Sequence, residues 1–394
     1  MTTKIFNCRI IIICLVLLSI NQLWAQTRYE VQVVDSSTGE PLPFASVYVD
    51  ENHHTITNAE GWFVLNVDGS SMVRISYVGY DATSYRLSAA GKKIRLKANP
   101  IEVDEVDVIG ANSFVDKLID ECRTELQKCK KKTSNYFYRQ LTTVNGETYG
   151  LLESFFNIKN CLCLRNMSLI TGRYANVENE NSLYPTNFFT FAQTELYHGN
   201  TYLTNGLDIV PLCKDFRKYY DVSCKVVGAK ENMQYLLHFK PKEGIAEHLK
   251  FPIMECQLWV MPSNLQILKY QGKGHGIYII SNHNGEKIIS PAQYEFTINF
   301  QWNNRYTEVS SVNFKTLYKC KGNAYQTQAT LFNIGTRFFK SKKRIEFTDN
   351  LQKQIQDIGY ERDFWANHEL VKRTSTEQDA ADFFERKGLF GVFK

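Results

Sequence analysis

Apolar residues between positions 110 and 132 recur at i, i+3, i+4 and i+7: Phe114, Val115, Leu118, Ile119, Cys122, Leu126 and Cys129. That spacing predicts an amphipathic helix with one face turned to a core. Asn112 or Ser113 can cap its start, and Lys130-Lys131-Lys132 suits its negative end. On either side of this segment the pattern changes to short runs rich in β-branched and aromatic residues. Upstream, strands are expected at Tyr29–Val34, Phe44–Val49, Trp62–Val67, Met72–Val78, Ile94–Lys97 and Val103–Ile109. Turn residues separate them, as in Asp35-Ser36-Ser37-Thr38-Gly39-Glu40, and this spacing suits a small β-sandwich.

Downstream the strands lengthen. Tyr136–Val144 runs through Asn145-Gly146 into Thr148–Ile158, and Asn-Gly is the strongest short hairpin signal. Asp221–Val227, Gln234–Phe239, Glu255–Met261, Gln266–Gln271, Tyr294–Gln301, Tyr306–Tyr318 and Tyr325–Ile334 continue the series. These are too many strands for one small sandwich, so a large curved antiparallel sheet is expected. The tail returns to helix: Asp349–Ile358 places Leu351, Ile355 and Ile358 on one face, and Ser375 with Gln378 makes a capping box before Ala380, Ala381, Phe383 and Phe384. A bent sheet leaves a concave face, and both the first helix and the tail are expected to fill it. The predicted class is α+β, mostly β, with segments 1–25, 26–110, 111–345 and 346–394.

Four ordered motifs in the first globular segment carry a resemblance. Gly39-Glu40-Pro41-Leu42-Pro43-Phe44-Ala45-Ser46-Val47, Thr57-Asn58-Ala59-Glu60-Gly61-Trp62-Phe63, Ser76-Tyr77-Val78-Gly79-Tyr80 and Glu102–Val108 resemble the carboxypeptidase-regulatory-like domain over residues 28–109. That resemblance implies a seven-stranded transthyretin-like sandwich without peptidase activity, of the kind that precedes a further domain in Bacteroidetes envelope proteins. The physics of the residues agrees. Pro41 and Pro43 hold the chain extended before an edge strand, and Gly61 can take the positive φ that the turn before Trp62 needs. Further on, Pro211-Leu212, Lys218-Tyr219-Tyr220, Phe239-Lys240-Pro241-Lys242, Leu258-Trp259-Val260 and Ile267-Leu268-Lys269 resemble the domain of unknown function that follows this sandwich. Asp363-Phe364-Trp365 and Val371-Lys372-Arg373-Thr374 are similar to its ending. The Trp259 to Lys269 hairpin also resembles the curved half-barrel of periplasmic lipoprotein carriers.

The N-terminus reads as a secretory signal peptide. Lys4 and Arg9 precede the apolar run Ile10 to Ile20, and Leu23-Trp24-Ala25 offers cleavage before Gln26. A lipoprotein would need a cysteine just after that run, whereas Cys8 and Cys14 lie before its end. No later segment approaches 18 consecutive apolar residues, so no spanning helix is expected. Removing residues 1–25 takes two basic residues and lowers the formal charge of +5 by two, which disfavours a dedicated nucleic-acid binder. The basic runs at Lys130–Lys132 and Lys340–Arg344 are read as solvated faces or helix ends.

The chain has 394 residues, 43% of them hydrophobic and 22% charged, so it is a globular composition large enough for two or three domains. Cys122, Cys129, Cys161, Cys163, Cys213, Cys224, Cys256 and Cys320 remain after export, and no C-x-x-C pair occurs among them. They are expected to be mostly buried thiols. Candidate chemistry is thin. His283-Asn284-Gly285-Glu286 spells H-x-x-E, yet lacks a downstream ligand set and reads as a turn. Gly272-Lys273-Gly274-His275-Gly276 has no helix after it and reads as a flexible loop, while Asp104, Glu105 and Asp107 read as a solvated strand edge. Phe155-Phe156, Phe188-Phe189, Phe338-Phe339 and Phe383-Phe384 put adjacent rings on opposite faces of a strand, or against a tail helix.

No catalytic, metal-binding or cofactor-binding residue is assigned, and no cofactor is expected. The expected function is that of a non-catalytic exported envelope protein of the periplasm or outer membrane. It would act as an interaction or binding module whose partner is an envelope protein or an apolar ligand, not nucleic acid. A carrier holding an apolar ligand in the sheet's concavity and a small outer-membrane β-barrel are the alternatives.

Overall fold

The computed structural model describes residues 27–50, 53–89, 91–99, 111–127, 133–158, 167–177, 211–228, 233–245, 253–283, 286–302, 307–335, 340–345 and 351–391. Among the described residues the first globular segment holds seven strands: β1 (Thr27–Asp35), β2 (Ser46–Tyr48), β3 (His54–Ile56), β4 (Trp62–Val67), β5 (Met72–Ser76), β6 (Thr83–Arg86) and β7 (Lys93–Leu96). They form two sheets, ordered β4-β1-β7 and β3-β2-β5-β6. Val31, Val33, Val47, Phe63, Val73, Ile75 and Ile94 meet between them as one core. The strand expected at 103–109, with Asp104, Glu105 and Asp107, lies outside the described residues.

The motifs of this sandwich have local causes. Asp35 accepts from the Ser37 hydroxyl at 2.5 Å, from the Thr38 amide at 2.9 Å, from the Tyr80 hydroxyl at 2.7 Å and from the Ser37 amide at 2.6 Å. Those bonds hold its carboxyl well below the usual range; burial, with Asp35 beside it, pushes Tyr80 up to about 12. Asn58 Oδ1 accepts from the Glu60 and Trp62 amides, both at 2.9 Å, which closes the turn. Gly61 takes φ +76°, and a Cβ there would lie 2.7 Å from the Val33 carbonyl oxygen. Only glycine satisfies both conditions at once.

Next come α1 (Ala111–Gln127), β8 (Ser134–Val144), β9 (Glu147–Ile158), β10 (Met167–Asn176), β11 (Tyr220–Val227), β12 (Gln234–Pro241) and β13 (Ile253–Val260). β14 (Ile267–His283), β15 (Glu286–Trp302), β16 (Thr307–Cys320), β17 (Asn323–Gly335) and β18 (Lys343–Ile345) follow. The tail holds α2 (Leu351–Ile358), α3 (Arg362–Asn367) and α4 (Ser375–Arg386). Among the described residues the strands make one eleven-stranded sheet in the order β11-β12-β13-β14-β15-β16-β17-β8-β9-β10-β18, antiparallel at every pairing, with β11 and β18 at its ends. The fold is α+β and mostly β. Asn145 (φ 53°) and Gly146 (φ 87°) make the expected hairpin with both central residues at positive φ.

The sheet is covered on both faces. Val115, Leu118, Ile119 and Cys122 of α1, with Leu351 and Ile355 of α2, pack on the face that carries Tyr136, Tyr138, Leu152 and Phe156. Each such side chain withdrawn from water contributes roughly 1.5–3 kcal/mol. The opposite face carries Phe137, Phe155 and Phe332 against Trp365 of α3, Val371, and Ile56 of the sandwich. Beside them Leu141 and Leu151 meet Ala380, Ala381 and Phe384 of α4. Phe155 and Phe156 are thus both fully buried, one on each face.

Several expectations change. The tail does not fill the same face as α1: α2 does, but α3 and α4 lie on the other side, because Phe137, Phe155, Leu141 and Leu151 need cover there. Asn112 and Ser113 fall inside the first turn of α1, which begins at Ala111. The capping box of α4 is one residue earlier than expected: Glu377 N donates to Thr374 Oγ1, and Thr374 N donates to Glu377 Oε2. Gly272 to Gly276 is part of β14, not a loop. The strands lie so close there that a Cβ on Gly272 would sit 2.3 Å from the Glu255 carbonyl oxygen.

Candidate functional site

The sandwich and the large sheet meet at a seam, and residues 369–375 run through it as a strap. On the sandwich side, Thr55 Oγ1 donates to Leu370 O at 2.8 Å, Asn58 Nδ2 to Arg373 O at 2.9 Å, and the Ser375 amide to Glu60 at 3.1 Å. Arg28 reaches Glu369 at 2.6 Å, and Lys372 reaches Glu30 at 3.2 Å. On the sheet side, Arg139 Nη2 donates to Val371 O at 3.0 Å, and Arg373 donates to Glu153 at 3.2 Å. Thr57-Asn58 of the sandwich and Val371–Thr374 of the tail therefore touch each other.

Glu153 is the centre of this seam. It is 0% exposed and bonded to Arg139, Arg173 and Arg373. Burial alone would raise its carboxyl, but the three guanidiniums outweigh that and hold it well below the carboxylate range. Glu377 and Glu385 add carboxylates to Arg139 and Arg173, so the cluster is close to charge balance. This is a structural lock: three guanidiniums and three carboxylates meet there, and both oxygens of Glu153 are bonded to arginines.

Beside the lock, the sandwich and the sheet leave a cleft of about 640 Å³. Pro43, Phe44 and Ala59 form its sandwich lip. Its floor is two rows of polar side chains set by strand register. His238, Gln257, Gln271, Thr297 and Asn313 lie opposite one another in sequence across β12 to β16. The second row is Glu255, Lys273, Glu295, Lys315 and Gln328 across β13 to β17.

The rows differ in chemistry. In the first, Gln271 Nε2 donates to Gln257 Oε1 at 3.0 Å. Asn313 is 5% exposed; its Nδ2 donates weakly to Ser311 Oγ at 3.4 Å, while its Oδ1 accepts no hydrogen bond. The second row alternates in sign, with Lys273 and Glu295 3.6 Å apart, and so carries no net charge over its four ionisable members. Phe44 holds φ 61°, a left-handed conformation costly for an aromatic residue, with its amide donating to Thr57 O at 3.0 Å. Cys256 borders the cleft, but burial drives its thiol far up, so it is not a nucleophile there.

A further group at the seam is Lys269. It lies opposite Trp259, and its Nζ sits 5.2 Å from that ring and 5.6 Å from the ring of Tyr77 in the sandwich. Burial lowers its amine to about 8. The hairpin motifs Leu258-Trp259-Val260 and Ile267-Leu268-Lys269 thus place a cation between two aromatic faces.

No catalytic residue was expected; of the sequence motifs, Pro43-Phe44, Ala59 and Gly272-Lys273 border the cleft, whereas the H-x-x-E does not. His283 and Glu286 of the H-x-x-E pair with each other across the end of the β14–β15 hairpin. Among the described residues no group of three His, Cys, Asp or Glu side chains could hold a metal ion. Cys122, Cys213, Cys256 and Cys320 are buried free thiols and Cys224 is half-buried; Cys129, Cys161 and Cys163 lie outside the description, as do Phe188-Phe189 and Phe338-Phe339. Among the described residues no helix is long and apolar enough to cross a membrane. Residues 1–26 are outside the described part. The two rows escaped the sequence reading, although polar residues at i and i+2 in four successive strands are their trace: Glu255 and Gln257, Gln271 and Lys273, Glu295 and Thr297, Asn313 and Lys315.

The model of the CarboxypepD_reg-like domain matches residues 32–108, the sandwich. Among solved structures, a LolA superfamily protein from Nitrosomonas europaea is similar to this chain at 11% identity, over 57% of this chain and 96% of its own, with a TM-score of 0.20. No curated protein matches the sequence.

Proposed function

We propose that the protein is an exported, non-catalytic binding module of a bacterial cell envelope, with its ligand held in the polar cleft between sandwich and sheet. One observation carries the reading: a buried acceptor, Asn313 Oδ1, stands without a partner among the polar rows that line the cleft beside Cys256, Phe296, Phe314 and Ala329. Buried polar groups left unmatched in a folded protein call for a function, and a ligand that donates to Asn313 supplies one. The CarboxypepD_reg-like domain forms one wall, which fits a module that presents a surface and performs no reaction.

The alternative of an apolar ligand in the sheet's concavity has less support. The face under α1 is packed with buried aliphatic and aromatic side chains from α1, α2 and the strands. The barrel alternative is weaker too, because the described strands form an open order with helices on both faces.

Two measurements test the proposal. N-terminal sequencing of protein from the envelope fraction should begin at Gln26; an intact Met1 there would overturn export. Titration of the full chain with cis-parinaric acid should give no saturable binding. In parallel, a low-molecular-weight envelope extract should shift the side-chain amide NMR signals of Gln257, Gln271 and Asn313. Saturable binding of the fatty acid, with those amide signals unmoved by the extract, would replace the cleft with the apolar carrier.

A further inference from the structure

We propose that the cleft takes a neutral oligosaccharide laid across the strands, about one sugar ring per strand; this rests on the cleft being the binding site. The first reason is spacing. Neighbouring strands lie ~4.8 Å apart, so each row offers a polar group at that interval, over about 19 Å from His238 to Asn313. A pyranose chain advances about 5 Å per ring and keeps step with such a row, whereas an extended peptide repeats its same-side groups every ~6.6–6.8 Å and falls out of step.

Chemistry gives the second reason. A sugar hydroxyl both donates and accepts, and so do the carboxamides of Gln257, Gln271 and Asn313 and the hydroxyl of Thr297. The Gln271 to Gln257 bond leaves the Gln257 amide free to donate and the Gln271 carbonyl free to accept. Asn313 Oδ1, buried and unmatched, receives a hydroxyl proton in the complex. An acidic or basic ligand would be met by a like charge at every second step of the row from Glu255 to Lys315, so the floor selects for neutrality. Phe44 stands at the lip, where a half-buried apolar residue borders the C–H side of a sugar. Main-chain groups do not compete for the ligand, because the strands that form the floor pair with each other.

The experiment is isothermal titration of the full chain with cellotriose, maltotriose, trigalacturonate and tetra-alanine, repeated on Asn313→Leu and Gln271→Ala. The expected result is binding of a neutral trisaccharide, with trigalacturonate at least tenfold weaker. Each substitution should weaken that binding at least tenfold while leaving the melting temperature within a degree or two. Gln271 is half-exposed, so Gln271→Ala carries the test if Asn313→Leu does not fold. Tetra-alanine binding that both substitutions weaken, with no trisaccharide binding, overturns the saccharide and keeps the cleft. Trisaccharide binding unaffected by either substitution overturns the cleft itself. No binding by any of the four overturns the saccharide assignment.

Discussion

Arg139 and Glu153 face each other directly on β8 and β9, and Nε of the first meets Oε1 of the second at 2.6 Å with both side chains almost wholly out of water. That pair is laid down by the β8–β9 hairpin alone. Arg173 joins it from β10, and Arg373 arrives from more than two hundred residues away. A local pair thus becomes the anchor for a distant segment.

Replacing Glu153 by Gln removes the only carboxylate that touches all three guanidiniums. Breaking a buried pair costs about 3–5 kcal/mol, because the remaining charges stay buried and unmatched. Glu153→Gln should therefore lower the urea midpoint strongly, whereas an exposed pair such as Lys273 with Glu295 should cost under about 1 kcal/mol when broken. Equal effects at the two sites would contradict the lock.

The same carboxylate gives the protein a pH limit. Its folded pKa lies well below the ordinary value, so the stability it supplies is complete above the unfolded pKa of ~4.3 and is lost as pH falls through the folded one. Acid unfolding followed by circular dichroism should show a steep loss below about pH 4 in the native protein, and a flatter one in Glu153→Gln.

Lys269 behaves in the opposite sense. Its amine is lowered to about 8, while the unfolded chain holds the proton up to ~10.4. Between those values the unfolded state binds more protons, so the lysine's contribution to stability rises with pH, and below 8 it remains a buried cation. Lys269→Met should stabilise by about 1–2 kcal/mol at pH 7, less whatever cation–π attraction is lost, and the gain should vanish by about pH 10. A stabilisation that does not change between pH 7 and pH 10 would count against the buried charge.

Removing residues 369–391 should uncover Leu141 and Leu151 and thin the cover of Phe137 and Phe155, since α4 lies on the first pair and Val371 joins Trp365 over the second. Stability should fall by several kcal/mol, and anilinonaphthalene sulfonate should bind where it did not before. The face under α1 should stay closed, because α1 and α2 remain.

The sandwich has its own core and its own two sheets, so a fragment of residues 26–110 should unfold cooperatively in urea. Its midpoint should lie below that of the full chain, because Phe44 and Ile56 lose their cover at the seam.

Much of this was legible locally. Asn145-Gly146 announced its hairpin, the stripe on α1 announced a buried face, and the Thr57-Asn58 and Gly61 motifs announced the sandwich. β10 was missed because it is buried along nearly its whole length, which erases the alternation by which a half-exposed strand is recognised. Gly272 misled for a related reason: a glycine required by close strands looks, in one dimension, like a glycine required by a loop. The tail's side of the sheet was not legible, since both faces of β8 and β9 are apolar and amphipathicity alone cannot choose between them. The cleft was the least legible of all. Each strand contributes only one or two of its polar residues, and they become a site only through the register of neighbours brought together by folding.

The strap also gives the molecule a built-in order of completion. The sandwich precedes the sheet along the chain, and the sheet is finished only when β18 has been made. Residues 369–375 come later still, and they fix how the lip at Phe44 stands over the rows. A chain cut short before residue 369 keeps both halves and their direct contacts, such as Ile56 with Phe332 and Lys269 with Tyr77, but loses the strap that ties them. The strap is thus the last tie across the seam to be made, and damage to that one short span of backbone loosens the seam while leaving both sheets intact.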